Sequence, residues 1–330
     1  MIGIGGFISK EVNPPFKVRH SQLICHDKRK EHCSIICERE SMEYRVQIGR
    51  VAFLIDTPYP YKWNATDHKF LSWDGTAFKT VHVAVEWGKI CLPQRKLDVT
   101  ADLMDIWVNG ETEIRAFRAT FYPGHPLFAC SCRVGDRVEI TFCGDIDLWN
   151  HPNMQLWSII HLEKFLLETG GIVLHCCYTM YRGKAILFTA PSGTGKTTQA
   201  NIWRRCYGSE IINGDKCLLQ RIDGQWFAEG YPYHGSADEC ENRSYPIGSI
   251  AIVRQSKNDM VESISPVQAL GLLYSESTVN NWDSKRVNTA LGLLTDLALK
   301  VPVVKLCCTM EDSAAHVLHR YLYGGDYGTV

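Results

Sequence analysis

Residues 190–197 read Ala-Pro-Ser-Gly-Thr-Gly-Lys-Thr, and no other stretch of the 330-residue chain limits its fold as strongly. The octet matches the pattern G-x-x-x-x-G-K-[ST] at every position but the first, where Ala190 replaces glycine. A loop that cradles phosphate turns backbone N–H groups inward, and Gly193 and Gly195 can take the required dihedrals without steric cost. The flanks agree with that reading. KAILFTA, an apolar run of strand length, precedes the loop, TTQANIWRRCY has helical character, and EIIN is a further strand that leads into Gly214 and Asp215. Strand, glycine loop, helix and strand in this order frame a nucleotide-binding α/β unit. An ordinary surface turn before a helix would explain the string but not its surroundings.

The pattern assigns tasks to single residues. Ser192, Gly193, Thr194, Gly195, Lys196, Thr197 and Thr198 are the expected nucleotide contacts. Lys196, taken as an exposed loop lysine, can reach the β and γ phosphates, and the start of the following helix adds partial positive charge. The Thr197 hydroxyl is the expected Mg²⁺ ligand. Asp215, at the C-terminal end of its strand, can hold the same metal directly or through water, although a plain turn aspartate in Asn-Gly-Asp is the simpler alternative. ATP or GTP with Mg²⁺ is thus the expected ligand pair, ATP being favoured.

The remainder of the chain divides by pattern into a β-rich N-terminal domain, 1–150, and a loop-bearing domain, 151–330. Alternating runs at 44–55, 79–87, 113–122 and 137–143 predict half-buried antiparallel strands. Apolar residues at near-helical spacing predict one helix over 153–169, ending at Gly170 and Gly171. GIVLHCCYTM, SIAIVRQ and VPVVKLCC read as strands. Ser265, Pro266 and Gln268 form a capped helix start, Asp283 can cap the next helix, and Thr309 with Asp312 could begin the last. Tyr59, Tyr61, Trp63 and Trp73, around a proline-rich stretch, could line a peptide groove, with ordinary packing an equal alternative.

With 45% hydrophobic residues the chain can bury a sizeable core, which excludes disorder as a description of the whole. Thirty-five Lys plus Arg against 36 Asp plus Glu give a net charge of -1, so the bulk positive field of a non-specific nucleic-acid binder is missing. No apolar run approaches the roughly 20 residues of a membrane span, and the N-terminus lacks the features of an export signal. A cytoplasmic protein without nucleic-acid or membrane partners is expected. The 14 cysteines occur largely as neighbours within apolar runs, the pattern of reduced, buried thiols. Cys25, His26, His32, Cys33 and Cys37 lack paired knuckles, so structural zinc is not expected there.

The stretch LHCCYTMYRGKAILFTAPSGTGKTTQANIW, followed by IINGDKC, resembles the HPr kinase/phosphorylase superfamily, P-loop proteins related to phosphoenolpyruvate carboxykinase. Within it, the chain is most similar to HPr-kinase-like serine kinases of ribosomally made peptide pathways, such as lasso-peptide precursor kinases. The likeness spans roughly residues 153–322 and leaves the N-terminal half out. It implies an α/β P-loop kinase domain of the HPr kinase/PEP carboxykinase type behind a β-rich substrate-recruitment or oligomerisation domain. It further implies transfer of the ATP γ-phosphate to a Ser or Thr hydroxyl of a peptide or protein acceptor, and a homo-oligomer by analogy.

By the same resemblance His175 is a phosphate ligand or proton handler, where a lone histidine in an apolar strand would otherwise read as a core residue. Lys196 and Asp215 complete the implied catalytic set, Ser192 shapes the loop, and His234 and Ser236 in Gly230–Ser236 are candidate acceptor contacts. One departure stands out. HPr kinases carry two consecutive aspartates after the second strand, and this chain has Gly214 followed by Asp215. Either Asp215 serves both metal and proton transfer or the base is another group, with His175, Asp238 and Glu239 available. A nucleotide-binding assembly or regulatory protein and an ATPase without an acceptor remain alternatives, and a carboxykinase is disfavoured by length.

Overall fold

The computed structural model describes residues 17–26, 34–63, 66–72, 75–101, 103–118, 126–143, 156–233, 235 and 239–324, with side chains from residue 41 onward. The chain is mixed α/β, built on two large sheets with the N-terminal region rich in strands. Nine strands make the first sheet: β1 (Lys17–His26), β2 (Ser34–Ile48), β3 (Val51–Thr57), β4 (Lys79–Trp87), β5 (Val99–Ala101), β6 (Met104–Asn109), β7 (Thr112–Arg118), β8 (Leu127–Val134) and β9 (Arg137–Phe142). Their spatial order is β1-β2-β3-β4-β9-β8-β7-β6-β5. β4 shows why such a sequence becomes a strand: Val81, Val83 and Val85 are buried while Thr80, His82, Ala84 and Glu86 are exposed, the two-residue period of a sheet with one wet face.

The antiparallel expectation holds for most of this sheet, but β3 pairs β4 and β4 pairs β9 in parallel. The run at 44–55 is likewise not one strand. Gly49, at φ 55°, turns the chain between β2 and β3, which pair as a hairpin. The aromatic stretch that follows β3 is packed: the Tyr61 and Trp63 rings lie 4.5 Å apart, Trp63 is 5.2 Å from Tyr44 and Tyr59 is 4.9 Å from Trp87. Trp73 lies outside the described residues.

The single helix expected over 153–169 is two, α1 (Leu156–Ile159) and α2 (Leu162–Glu168). His161 breaks it with a left-handed φ of 57°. Its buried ring places Nε2 2.9 Å from Ser131 Oγ and Nδ1 3.3 Å from Glu113 Oε1, and burial drives its pKa down to about 3. Both helices contribute to the core of the first sheet, where Phe165 meets Phe53 edge-on at 5.8 Å.

The second sheet comprises β10 (Gly171–Tyr181), β11 (Lys184–Thr189), β12 (Glu210–Asn213), β13 (Lys216–Ile222), β14 (Gln225–Glu229), β15 (Ser244–Gln255), β16 (Met260–Ser263) and β17 (Val303–Cys308). Its order is β11-β10-β13-β14-β15-β17-β16, with β12 beside β10 and β11 closing onto β15 in parallel. Four helices cover it: α3 (Lys196–Tyr207), α4 (Pro266–Ser275), α5 (Ser284–Lys300) and α6 (Asp312–Tyr323). Alternate residues go to opposite layers. Leu187 and Ile250 join the core that holds α4 and α5, whereas Ile186, Phe188 and Ala251 join the one that holds α3 and α6. Burial of both faces explains why these strands read as continuous apolar runs.

Ser265 caps α4 in a capping box with Gln268, and the Asp283 carboxylate accepts the Arg286 N–H at 3.2 Å to cap α5. Thr309 is not the cap of α6: its N–H and hydroxyl are donated to Asp259, at 2.6 and 3.2 Å, and the helix starts after Glu311. The described cysteines are free thiols. Among the described residues no helix is long and apolar enough to cross a membrane.

Candidate functional site

The loop between β11 and α3 has the backbone its glycines suggest. Gly193 and Gly195 sit at φ 77° and 114°, in the region that side chains other than glycine's rarely adopt. Gly195 is the N-cap of α3, and the first helical bond runs from Gln199 N–H to its carbonyl at 3.0 Å. By helix geometry the amides of Lys196, Thr197 and Thr198 are left facing the loop. Ser192, Gly193 and Thr197 are exposed, and Thr194 and Thr198 are half-buried.

Lys196 corrects the picture of an exposed lysine. It is 6% exposed and donates from Nζ to the carbonyls of Ala190 at 2.8 Å and Pro191 at 3.3 Å. Burial lowers its pKa, opposed by the charges of Glu276 and Asp215.

The second strand arrives at the same place. Thr197 Oγ1 lies 3.5 Å from the carbonyl of Gly214, so the start of α3 rests on the turn that carries Asp215. Asn213, at the head of the Asn-Gly-Asp string, builds that turn. Fully buried, it accepts at Oδ1 from the N–H groups of Asp215 and Lys216, both at 2.9 Å, and donates from Nδ2 to the carbonyls of Tyr231 and Tyr233 at 2.9 and 3.1 Å. Tyr231 and Tyr233 are thereby tied down beside Asp215. A Cβ at Gly235 would stand 2.9 Å from Asp215 Cγ, so only glycine fits that approach.

His175 ends the pairing of β10 with β13 over Gly171–His175, one residue before its pairing with β11 begins at Cys176. The imidazole stands between two carboxylates, with Nε2 3.4 Å from Asp215 Oδ1 and Nδ1 3.2 Å from Glu276 Oε2. The neighbouring His175 lowers the Asp215 pKa more than burial raises it, so Asp215 favours its ionised form. A cavity of about 310 Å³ opens beside the pair, lined also by Lys216, Tyr233, Ser275, Ser277 and Thr278. Lys216, its pKa lowered by burial, lies over the Tyr233 ring at 4.4 Å.

With this geometry in view, residues 147–315 match the family described as SynChlorMet cassette protein ScmC. The chain belongs to the ScmC family. No curated protein matches it. Among solved structures it is similar to the HPr(Ser) kinase/phosphatase from Coxiella burnetii, with 8% identity, 45% of this chain and 95% of that one covered, and a TM-score of 0.27.

In this ScmC-family chain the fold thus gathers Lys196, Thr197, Asp215 and His175 around one crevice. Glu239, an alternative base, is paired with Arg204 at 3.0 Å. His234, Ser236 and Asp238 lie outside the described residues. Glu276 is the group that sequence reading missed. It caps the C-terminus of α4, about a hundred residues beyond His175, and only the bridge between Leu174 and Ser277 brings it alongside β10. Open helix amides beside a lysine, next to an imidazole flanked by carboxylates, can hold an anion against a proton-transfer pair.

Proposed function

We propose that the chain is an ATP-dependent kinase that transfers the γ-phosphate to a Ser or Thr hydroxyl of a peptide or protein. The observation that carries this reading is the 3.5 Å contact of Thr197 with Gly214, which sets the glycine loop and the His175–Asp215 pair on the same crevice. In this reading the amides of 193–198 bind the polyphosphate, and Lys196 exchanges its two loop carbonyls for phosphate oxygens. The acceptor hydroxyl lies in the cavity, its oxygen attacks phosphorus in line with the departing ADP oxygen, and the His175–Asp215 pair takes its proton.

The residues also fit Mg²⁺. An exposed hydroxyl and an ionised carboxylate on neighbouring turns are hard oxygen donors, and Mg²⁺ takes one or two such groups with its other positions filled by phosphate and water. Among the described residues no group of three or more His, Cys, Asp or Glu could hold a metal without such help. Bound there, Mg²⁺ supplies neutralisation of phosphate charge.

Incubating the full chain with γ-labelled ATP, Mg²⁺ and peptides encoded beside its gene tests the proposal. Label on a peptide hydroxyl is the expected result. Label in free phosphate alone would replace the kinase with a hydrolase, and nucleotide binding without turnover would leave an assembly or regulatory protein.

A further inference from the structure

We propose that Glu276 is a positioning residue whose carboxylate fixes the ring of His175 in the orientation that phosphoryl transfer uses, an inference that rests on the kinase reading above. The segment that carries Glu276 is zipped to β10 by main-chain hydrogen bonds. Its carbonyl accepts the His175 N–H at 2.9 Å, and the Thr278 N–H is donated to the Val173 carbonyl at 2.9 Å. The Glu276 side chain is therefore not needed to dock the segment.

The His175 backbone is fixed from the other side as well, since its carbonyl accepts the Thr189 hydroxyl at 2.8 Å. What these bonds leave open is rotation of the imidazole about its own axis. A half-turn would carry both nitrogens away from their present neighbours and present carbon instead. The contact between Nδ1 and Glu276 Oε2 at 3.2 Å opposes that turn and keeps Nε2 on the side of Asp215 and the cavity. Glu276 is half-buried.

The same carboxylate also reaches Lys196 through space, so orientation has to be separated from charge. Glu276→Gln keeps an acceptor for the Nδ1 hydrogen and removes the charge, whereas Glu276→Ala removes both. The expected outcome is that the Ala variant loses about 10- to 100-fold in kcat, as removal of an orienting partner commonly does, with KM for ATP within about twofold. The Gln variant should stay within about fivefold of wild type.

The ring nitrogens give a second readout independent of turnover. In ¹⁵N-edited spectra, with the His175 signal assigned through His175→Gln, wild type and Glu276→Gln should show one dominant tautomer and Glu276→Ala a mixture. An unchanged spectrum in Glu276→Ala, or a Gln variant as impaired as the Ala variant, would overturn the proposal. Should wild type transfer phosphate to no acceptor, the kinase reading falls by itself, and the spectra still decide whether Glu276 sets the ring.

Discussion

At the scale of single residues, Lys196 shows how a local motif and its surroundings divide the work of specification. Its place after Gly195 is written in eight consecutive residues, whereas its burial is not, because the carbonyls of Ala190 and Pro191 curl back over the ammonium only once the loop has closed. Lys196→Ala should therefore abolish phosphoryl transfer and also cost about 1 kcal/mol of stability, the typical net worth of a hydrogen-bonded group. Labelled-ATP assays and urea unfolding check the two halves separately. Wild-type turnover in this variant would remove Lys196 from the mechanism. Thr197 and Asp215 were legible for the same local reason, a hydroxyl after the lysine and a carboxylate after a strand. Glu276 was not, nor were the bonds of Asn213 to Tyr231 and Tyr233, since each depends on a partner that is distant in the chain.

Among elements, those with a strict period were readable and those shaped by one tertiary contact were not. β4 follows its alternation residue by residue, and α4 begins where Ser265, Pro266 and Gln268 say it should. The helix over 153–169 fails because seating the His161 ring against Ser131 and Glu113 outweighs the propensity to continue. The antiparallel expectation for β3 and β4 fails similarly, since antiparallel and parallel strands share one alternation and differ only in how the connection returns. The cap on α4 matters beyond the helix itself, because the opposite end of α4 delivers Glu276 to His175. Ser265→Ala removes an acceptor for the Gln268 N–H on an exposed helix end and should cost about 1 kcal/mol. Chemical denaturation measures this directly, and a change well under half that size would show that the cap contributes little here.

Across the whole molecule, the two sheets are joined by one continuous apolar core, in which Phe53, Val83 and Phe142 of the first meet Val173 and Leu218 of the second with α1 and α2 between them. A buried ionic cluster ties β7 to α2: Arg115 pairs with Glu113 and Glu163, and Lys164 with Glu113. The β2–β3 turn also presses on β13 and β14. A Cβ at Gly49 would stand 2.5 Å from Leu218 Cδ2 and 2.8 Å from Glu229 Oε2, and that carboxyl oxygen is buried without a hydrogen-bond partner. Burial pushes the Glu229 pKa from 4.5 up to about 7, against the weaker pull of Ser244 and the Arg50 charge. A carboxyl whose pKa is raised by folding stabilises the fold most at low pH and loses that contribution as pH rises through the folded value. The loss should run from about pH 4.5 to about pH 7 and amount to something on the order of 3 kcal/mol. His161 acts oppositely over part of the same range: with its pKa lowered from 6.5 to about 3, it favours folding above 6.5 and loses that contribution as pH falls towards 3. The total stability curve would therefore blur the two. Subtracting the curve of Glu229→Gln from that of wild type cancels His161 and every other shared group. The difference should fall steadily between those two limits and be flat above about pH 8. Urea unfolding at half-unit pH steps measures it, and a flat difference throughout would mean that Glu229 is solvated rather than sealed beneath the Gly49 turn.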